Sequence, residues 1–401
     1  MESSWDRCAI AYYAGYKACS GTSRNSGWPF SILFGIPAMN ILITGGTGRV
    51  GANLARRLLA AGHNVRAFVY PGDAGRAGKL AGFERVETIE GDLRSFADCQ
   101  QAVDGMDAIY HLAAAFGGPF DNRDYLAING GGTLNLLEAV RDQCPNLHRF
   151  VYACTEAIYW HLTDRSPHLE GRESRYFANA IRETDVSPYL QMPYFLTKYV
   201  GEQLAMSYHH QYGVPSVSFR FTTIIEPSEF LNADGLPPLF LLSSAHQDWS
   251  DQHSPDPAEQ AMLDHIRSLW TGEEKLLLSL NPNGVPFRQH YTDVRDIALG
   301  LSLALDAEAA VGQEMNLGGA AILDWAELVP WLAERHDMEY VTAKIPSPNY
   351  FELDLGKTRS ILGYEPEHDF HSILATAEAM ARGEQTDVIP TGVRWQARSE
   401  A

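Results

Sequence analysis

The chain has 401 residues, 45% of them hydrophobic and 20% charged, proportions of a large globular α/β protein and not of a collagen-like, low-complexity or disordered one. Its 50 acidic residues outweigh 31 basic ones for a formal net charge of -19, and no stretch concentrates Lys or Arg, so nucleic acid would meet a repulsive field and small molecules are the expected partners. No apolar run approaches the roughly 18 residues that span a bilayer, and five cysteines without Cys-x-x-Cys spacing argue against a disulfide framework or structural zinc, so no membrane contact, no metal and a reducing cytoplasm are expected.

In chain order, residues 1–38 lack a sustained apolar period and read as an appendage outside the fold. Residues 39–44 form a short apolar run ending in glycine, the pattern of a buried strand. The run leads into Gly45-Gly46-Thr47-Gly48-Arg49-Val50-Gly51 and then a helix to Ala61. Glycine suits a tight turn, close approach of backbone N–H groups to a pyrophosphate, and packing of the helix N-terminus on its strand. Gly45, Thr47, Gly48, Arg49, Val50 and Gly51 are therefore expected to hold a dinucleotide. The next expected strand, 65–69, is followed by Tyr70, where an NAD-specific site commonly has Asp or Glu for the ribose hydroxyls. Arg49 and Arg76 could approach a 2′-phosphate and Asp73 would oppose them, so NAD and NADP both stay open as cofactors.

Further strands are expected at 86–89, 108–112, 150–154 and 217–221, with amphipathic stretches such as 134–141 between them, and such alternation builds a parallel sheet covered by helices. Residues 232–256, rich in Pro, Asp and Ser, suggest loops over a cleft, and late helices are expected at 325–335 and 370–382. His246, Asp248, Asp251, His253 and Asp256 fit no standard metal loop and read as solvated. Between 160 and 193 lies a long insertion that reads as a lid, a dimer contact or a surface excursion.

Tyr194 and Lys198 follow, four residues apart on an expected helix. That spacing puts phenol and ammonium on one face, and a fixed cation nearby would lower the phenol toward a useful range for acid/base work. Thr155 ends the 150–154 strand, where its hydroxyl could hold a substrate oxygen beside the phenol.

The glycine loop, Gly91-Asp92-Leu93, His111-Leu112-Ala113-Ala114, Asn129 with Gly132-Thr133, Thr155, the Tyr194/Lys198 pair, His290-Tyr291-Thr292-Asp293-Val294 and Asn316-Leu317-Gly318-Gly319 occur in one order along the chain. In that order the sequence resembles the extended short-chain dehydrogenases/reductases, the group that includes nucleotide-sugar epimerases and dehydratases, from about Met39 to about Arg382. The resemblance implies an α/β fold with a Rossmann-type doubly wound parallel sheet and a smaller C-terminal substrate-binding lobe. Residues 39–225 with 286–320 would form the dinucleotide-binding domain, 226–285 and 321–385 the substrate lobe, and 386–401 a tail. It also implies that Asp92 with Leu93 meets the adenine, that Leu112, Ala113, Ala114 and Asn129 line the cofactor, that Lys198 grips the nicotinamide ribose, and that Thr155 and Tyr194 bind the reacting carbonyl or alcohol. A homodimer is the expected assembly.

Departures from the family pattern narrow the reaction. Dehydratases of the family usually follow the Thr with two acidic residues, whereas this chain reads Thr155-Glu156-Ala157, which removes one proton-moving group and disfavours dehydration. Glu156 and Thr223 are expected at the substrate. Arg288 matches an Arg that grips a nucleotide diphosphate, but the stretch where a second Arg is usual, 345–350, has none, and Glu226 replaces a usual Gly, where it would repel an anion if it faced the pocket. The expected function is hydride transfer between a nicotinamide cofactor and a hydroxyl or carbonyl carbon of a sugar-derived or other polyhydroxylated substrate, as a dehydrogenase or epimerase. A reductase of a bulkier ketone or aldehyde, a nucleotide-sugar epimerase and, least favoured, a non-catalytic dinucleotide-binding regulator are the alternatives.

Overall fold

The structure, a computed structural model, describes residues 37–117, 120–162, 180–186, 193–346 and 350–392. Most of the segment 1–38 and of the 160–193 insertion lies outside them, as do Ser347, Pro348 and Asn349; Ala38–Ala401 is the unit that holds everything below.

Seven parallel strands form the central sheet: β1 (Asn40–Thr44), β2 (Asn64–Val69), β3 (Val86–Glu90), β4 (Ala108–His111), β5 (Arg149–Thr155), β6 (Ser216–Phe221) and, much later, β10 (Glu314–Leu317). Their order across the sheet is β10-β6-β5-β4-β1-β2-β3. Every residue of β4 and β6 is buried, as are all but the end residues of β1 and β5. That requires helices on both faces. The first series supplies α1 (Arg49–Ala60), α2 (Phe96–Val103), a single turn α3 (Asn122–Tyr125), α4 (Gly132–Gln143) and α5 (Pro193–Tyr212). The chain runs outward from β1 through β2 to β3 and then returns to the other side of β1 as β4. This reversal leaves a crevice beyond the carboxyl ends of β1 and β4, the place where such sheets take ligands.

Beyond β6 the chain builds a second assembly: β7 (Thr223–Ile225), α6 (Leu242–Trp249), α7 (Pro257–Leu269), β8 (Leu276–Leu280) and β9 (Arg288–Asp293). Then α8 (Val294–Leu303) returns to pack on α1 and leads to β10. After that come β11 (Ala321–Asp324), α9 (Trp325–His336), β12 (Tyr340–Lys344), β13 (Tyr350–Phe351), α10 (Gly356–Leu362) and α11 (Phe370–Ala381). Strand β9 pairs with β7, β11 and β13, and β8 pairs with β12. A second apolar core forms here around Phe240, whose ring centroid lies 4.8 Å from that of Trp325 and 5.9 Å from that of Phe370.

The strands expected from apolar runs lie within a residue or two of those observed. The 232–256 stretch differs, because residues 242–249 are helical. Leu242, Ala245 and Trp249 recur at helical spacing and pack on the second core. Asp256 caps α7, accepting from the N–H groups of Ala258 and Glu259, and the His246 ring lies 5.8 Å from Trp270. Among the described residues no group of three or more His, Cys, Asp or Glu could hold a metal.

Candidate active site

The glycine loop sits at the carboxyl end of β1, against the end of β4. Gly45 has φ +70°, a backbone state that favours glycine, and a Cβ there would lie 3.1 Å from the backbone of Ala113. A Cβ on Gly51 would fall 2.2 Å from the Gly45 carbonyl oxygen. These glycines let the loop fold tightly between Ala113 and the first turn of α1. Gly48, at the N-cap, offers no side-chain cap, so the first N–H groups of α1, from Arg49 and Val50 onward, are available to an anion. Asp92 follows β3 and is clasped by Arg94, with an oxygen to nitrogen distance of 2.6 Å, and this partner holds its carboxyl below the usual range. Leu93 is buried under Gly132, and Tyr70, at the end of β2, is 52% exposed.

A buried chain of hydrogen bonds ties this crevice together. His111 Nδ1 meets the Thr44 hydroxyl at 2.8 Å and its Nε2 meets the Thr133 hydroxyl at 2.9 Å. The Thr44 oxygen also accepts from the N–H groups of Leu112 and Ala113, and Thr133 donates to the Asn129 carbonyl. Burial pushes the His111 imidazole down to about 3, so it is a neutral strut. The Asn129 side chain accepts from Ala115 N–H and donates to the Ala115 carbonyl and the Thr197 hydroxyl. Those bonds use its amide to hold α5 beside the end of β4, one residue before Lys198.

On that helix, Tyr194 is partly buried among Phe116, Tyr125 and Phe195, with ring centroids 5.0, 6.3 and 6.0 Å away. The Thr155 hydroxyl, at the end of β5, is near enough to the phenol to act on it and accepts from the Ala157 N–H at 3.2 Å. Burial raises the phenol well above its ordinary range, Cys154 and Glu156 add to the rise, and Thr155 opposes it. This corrects the expectation of a lowered phenol. The Lys198 ammonium lies 4.5 Å from the centroid of the Tyr152 ring and is itself buried, which lowers it to about 8. Shared helix spacing brings the two residues together in sequence register, but burial outweighs the expected pairing.

Glu156 is 7% exposed; its Oε1 accepts from the Thr223 hydroxyl at 2.8 Å, while Oε2 has no protein partner. Burial lifts this carboxyl to about 8, so it is uncharged at neutral pH. Thr223 pairs with Tyr291 across β7 and β9, and the Glu156 charge would also act on Tyr291, so the three side chains converge. Arg288 lies on β9 with Asp324 3.9 Å and Glu352 3.5 Å from its guanidinium. Glu226 does not face the crevice. It is fully buried and accepts from Ser228 N–H at 2.8 Å and Thr391 N–H at 3.0 Å.

One buried network went unseen in the sequence, and one motif residue has a role the sequence did not assign. Arg220 on β6 forms a buried, forked ion pair with Glu202 on α5, at 2.7 to 3.2 Å, and also donates to the Tyr159 hydroxyl at 2.7 Å and the Glu183 carbonyl at 2.8 Å. This network fastens α5 one turn beyond Lys198. The family motif residue His290 is a second neutral strut, lowered to about 4 by burial, that joins the Gly319 carbonyl at 2.8 Å to the Leu353 N–H at 3.2 Å.

A doubly wound parallel sheet, a glycine loop at its switch point and a Thr, Tyr and Lys set on the adjoining strand and helix define an extended short-chain dehydrogenase/reductase. The chain belongs to the NAD dependent epimerase/dehydratase family, whose profile matches residues 41–318, and it is an enzyme of that type. A Bacillus subtilis protein named as an uncharacterised UDP-glucose epimerase is 26% identical over 347 residues, 82% of this chain and 93% of that protein. A shorter match, 40% identical over 126 residues, covers 29% of this chain and 32% of a Mycobacterium tuberculosis 3β-hydroxysteroid dehydrogenase/Δ5→4-isomerase. Among solved structures, a short-chain dehydrogenase/reductase superfamily protein of Agrobacterium tumefaciens with bound NAD superposes with a TM-score of 0.69 at 28% identity, over 86% of this chain and 97% of that one.

Proposed function

We propose that the protein binds NAD and transfers hydride at a hydroxyl or carbonyl carbon of a sugar-derived substrate, as an oxidoreductase or epimerase. The observation that carries this reading is the placement of Thr155, at the end of β5, beside the Tyr194 phenol, with Lys198 one turn on, next to the crevice that the glycine loop borders. The uncapped N-terminus of α1 and the glycine cradle, which a Cβ would fill, fit a dinucleotide pyrophosphate. We assign NAD over NADP because Arg49 is paired with Glu229, and Arg76 lies 3.4 Å from Asp73, so both candidate cations for a 2′-phosphate face carboxylates. Asp92 and Leu93 border the adenosine end, Leu112, Ala113 and Ala114 the crevice wall, and Asn129 acts by positioning α5.

When bound, NAD supplies the acceptor and donor of the hydride. Tyr194 holds its proton at neutral pH and gives it to the oxygen of a carbonyl being reduced; an alcohol is oxidised from the fraction of the enzyme in which the phenol has first released its proton to solvent, and the phenolate then takes the alcohol's proton. Thr155 holds the same oxygen, and Lys198 sits on the ribose side. The second assembly, 226–285 and 321–385, is the proposed substrate lobe. A screen of polyols, sugar acids and nucleotide sugars with NAD, read by nicotinamide absorbance and product stereochemistry, tests the reading. Absence of both signals across the screen would contradict it.

Glu156 is the proposed partner of a substrate hydroxyl, since its free oxygen is buried beside the reacting centre. Below about 8 the carboxyl is neutral and donates; above it the group charges and loses that donor. Substrate affinity in the parent enzyme is expected to fall as pH rises through about 8, a limb that Glu156→Gln should abolish while Glu156→Ala weakens binding at every pH. Steady-state KM against pH checks this. Stability follows the same sign: the folded form retains the proton between 4.5 and about 8, so this group's contribution declines across that interval.

With Asp324 and Glu352 at its guanidinium, Arg288 supports a substrate bearing at most one anionic group in preference to a nucleotide diphosphate. Each missing charge-assisted contact weakens such a ligand by about 1.5–3 kcal/mol. Calorimetry with UDP is expected to show only weak binding. Tight binding that Arg288→Ala abolishes would return the protein to the nucleotide-sugar group. A second reading, a bulkier apolar ketone or alcohol, is supported by Phe116, 62% exposed and 5.0 Å from the Tyr194 ring, by Phe120, 41% exposed and packed on Tyr125, and by the match to the hydroxysteroid enzyme. A homodimer is proposed from the exposed Leu126, Leu134 and Leu196 on adjoining elements. Placement in the cytoplasm is proposed from the free thiols of Cys99, Cys144 and Cys154.

A further inference from the structure

Two oddities of the sequence, a Glu where the family pattern has Gly and a polar stretch after the last helix, meet at the back of the glycine loop. Glu226 receives the N–H of Thr391 at 3.0 Å. Lys79, on the excursion that follows β2, donates from one ammonium to two carbonyls, that of Thr47 inside the glycine loop, at 3.2 Å, and that of Thr391. Asn53, one turn into α1, clasps the backbone of Ile389 in both directions, donating to its carbonyl at 3.1 Å and accepting from its N–H at 2.8 Å. Upstream, Val388 is buried and Asp387 lies 3.0 Å from Arg295. Thus residues 387–391 run along the first turn of the helix whose N-terminus faces the phosphates, held by side chains from α1, from the 71–80 excursion and from the segment after β7.

The bonds are specific. Asn53 offers both a donor and an acceptor to the backbone of one residue, as a neighbouring strand would, and Lys79 ties the strap and the loop through a single charge. Arg49 Nε, Glu229 Oε1 and Thr391 Oγ1 are buried at this junction without protein partners, so its closure is incompletely satisfied and can be undone at modest cost.

We propose that residues 386–392 form a strap that holds the phosphate-binding loop closed on bound dinucleotide, with Asn53, Lys79 and Glu226 as its positioning residues, and that it slows exchange of the cofactor between turnovers. This rests on the reading of NAD binding given above and deepens it. A cofactor retained in this way is re-oxidised where it sits, which suits an epimerisation that returns NAD unchanged more than a net oxidation that must release NADH each cycle.

The test is the dissociation rate of NADH from the full chain, measured by displacement with excess NAD and read by nicotinamide fluorescence. Three variants are compared with it: a chain ending at Gln385, Thr391→Pro, which removes the N–H given to Glu226 along with the Thr391 hydroxyl, and Lys79→Met. Dissociation is expected to be about tenfold faster in each, the equivalent of losing one such bond, while a cooperative melting transition of the cofactor-free Lys79→Met protein shows that its fold is retained. The truncation combined with Lys79→Met should be no faster than the truncation alone, since the lysine acts through the strap. Dissociation at the parent rate in the truncated and Lys79→Met proteins would overturn the strap and leave the functional reading intact. A full chain that binds neither NAD nor NADH by calorimetry would overturn both.

Discussion

Tyr194→Phe is expected to lower turnover by about a hundredfold or more while NAD affinity stays within a few-fold of the parent. The variant keeps the ring that packs against Phe116 at 5.0 Å and removes only the phenol oxygen beside Thr155. Because the folded environment keeps that phenol protonated, the loss should fall on the chemical step and leave cofactor binding alone. Steady-state kinetics beside calorimetry with NAD separates the two. Near-normal turnover would remove Tyr194 from the mechanism.

The largest stability effect is expected at Arg220. Its guanidinium is 4% exposed and Glu202 is fully buried, so Arg220→Ala would strand a carboxylate inside the protein with only the Ser218 hydroxyl, at 2.8 Å, still bonded. Breaking one side of such a pair costs about 3–5 kcal/mol. Urea unfolding of Arg220→Ala and Glu202→Ala should each show that loss, and the double variant Glu202→Leu/Arg220→Met much less. A loss below about 1 kcal/mol in both single variants would show that the pair is not what fastens α5 to β6.

How much of this was legible in the sequence depends on how local each determinant is. The run Ile41-Leu42-Ile43-Thr44 followed by Gly45, Gly48 and Gly51 specifies strand, turn and helix within a dozen residues, and the structure follows it. Likewise Tyr194 and Lys198 fall on one helix because their spacing says so. What spacing cannot give is where a side chain ends. Lys198 turns to the Tyr152 face, and the phenol is raised by burial where a neighbouring cation was expected to lower it.

Polar residues inside strands were the other blind spot. Ser218 and Arg220 alternate with Phe219 and Phe221 along the expected strand, and nothing local shows that all of β6 is buried because Glu202 and Tyr159 meet the polar face. His111 likewise ends an apolar strand with no sequence neighbour to explain it; its partners Thr44 and Thr133 stand 67 and 22 residues away. Glu226 shows the same limit. Its charge argued for repulsion in the crevice, and its hydrogen bonds instead reach Thr391, 165 residues on.

The central claim is hydride transfer to a dinucleotide held in this crevice, and the absorbance of the enzyme's own nicotinamide tests it most directly. On mixing the NAD-loaded enzyme with a substrate from the sugar screen, the parent should show rapid appearance of the reduced-nicotinamide band, transient if the product is an epimer, and Tyr194→Phe should show it at least about a hundredfold more slowly. Turnover of a substrate with no reduced band at any time, or an equal rate in Tyr194→Phe, would contradict the account.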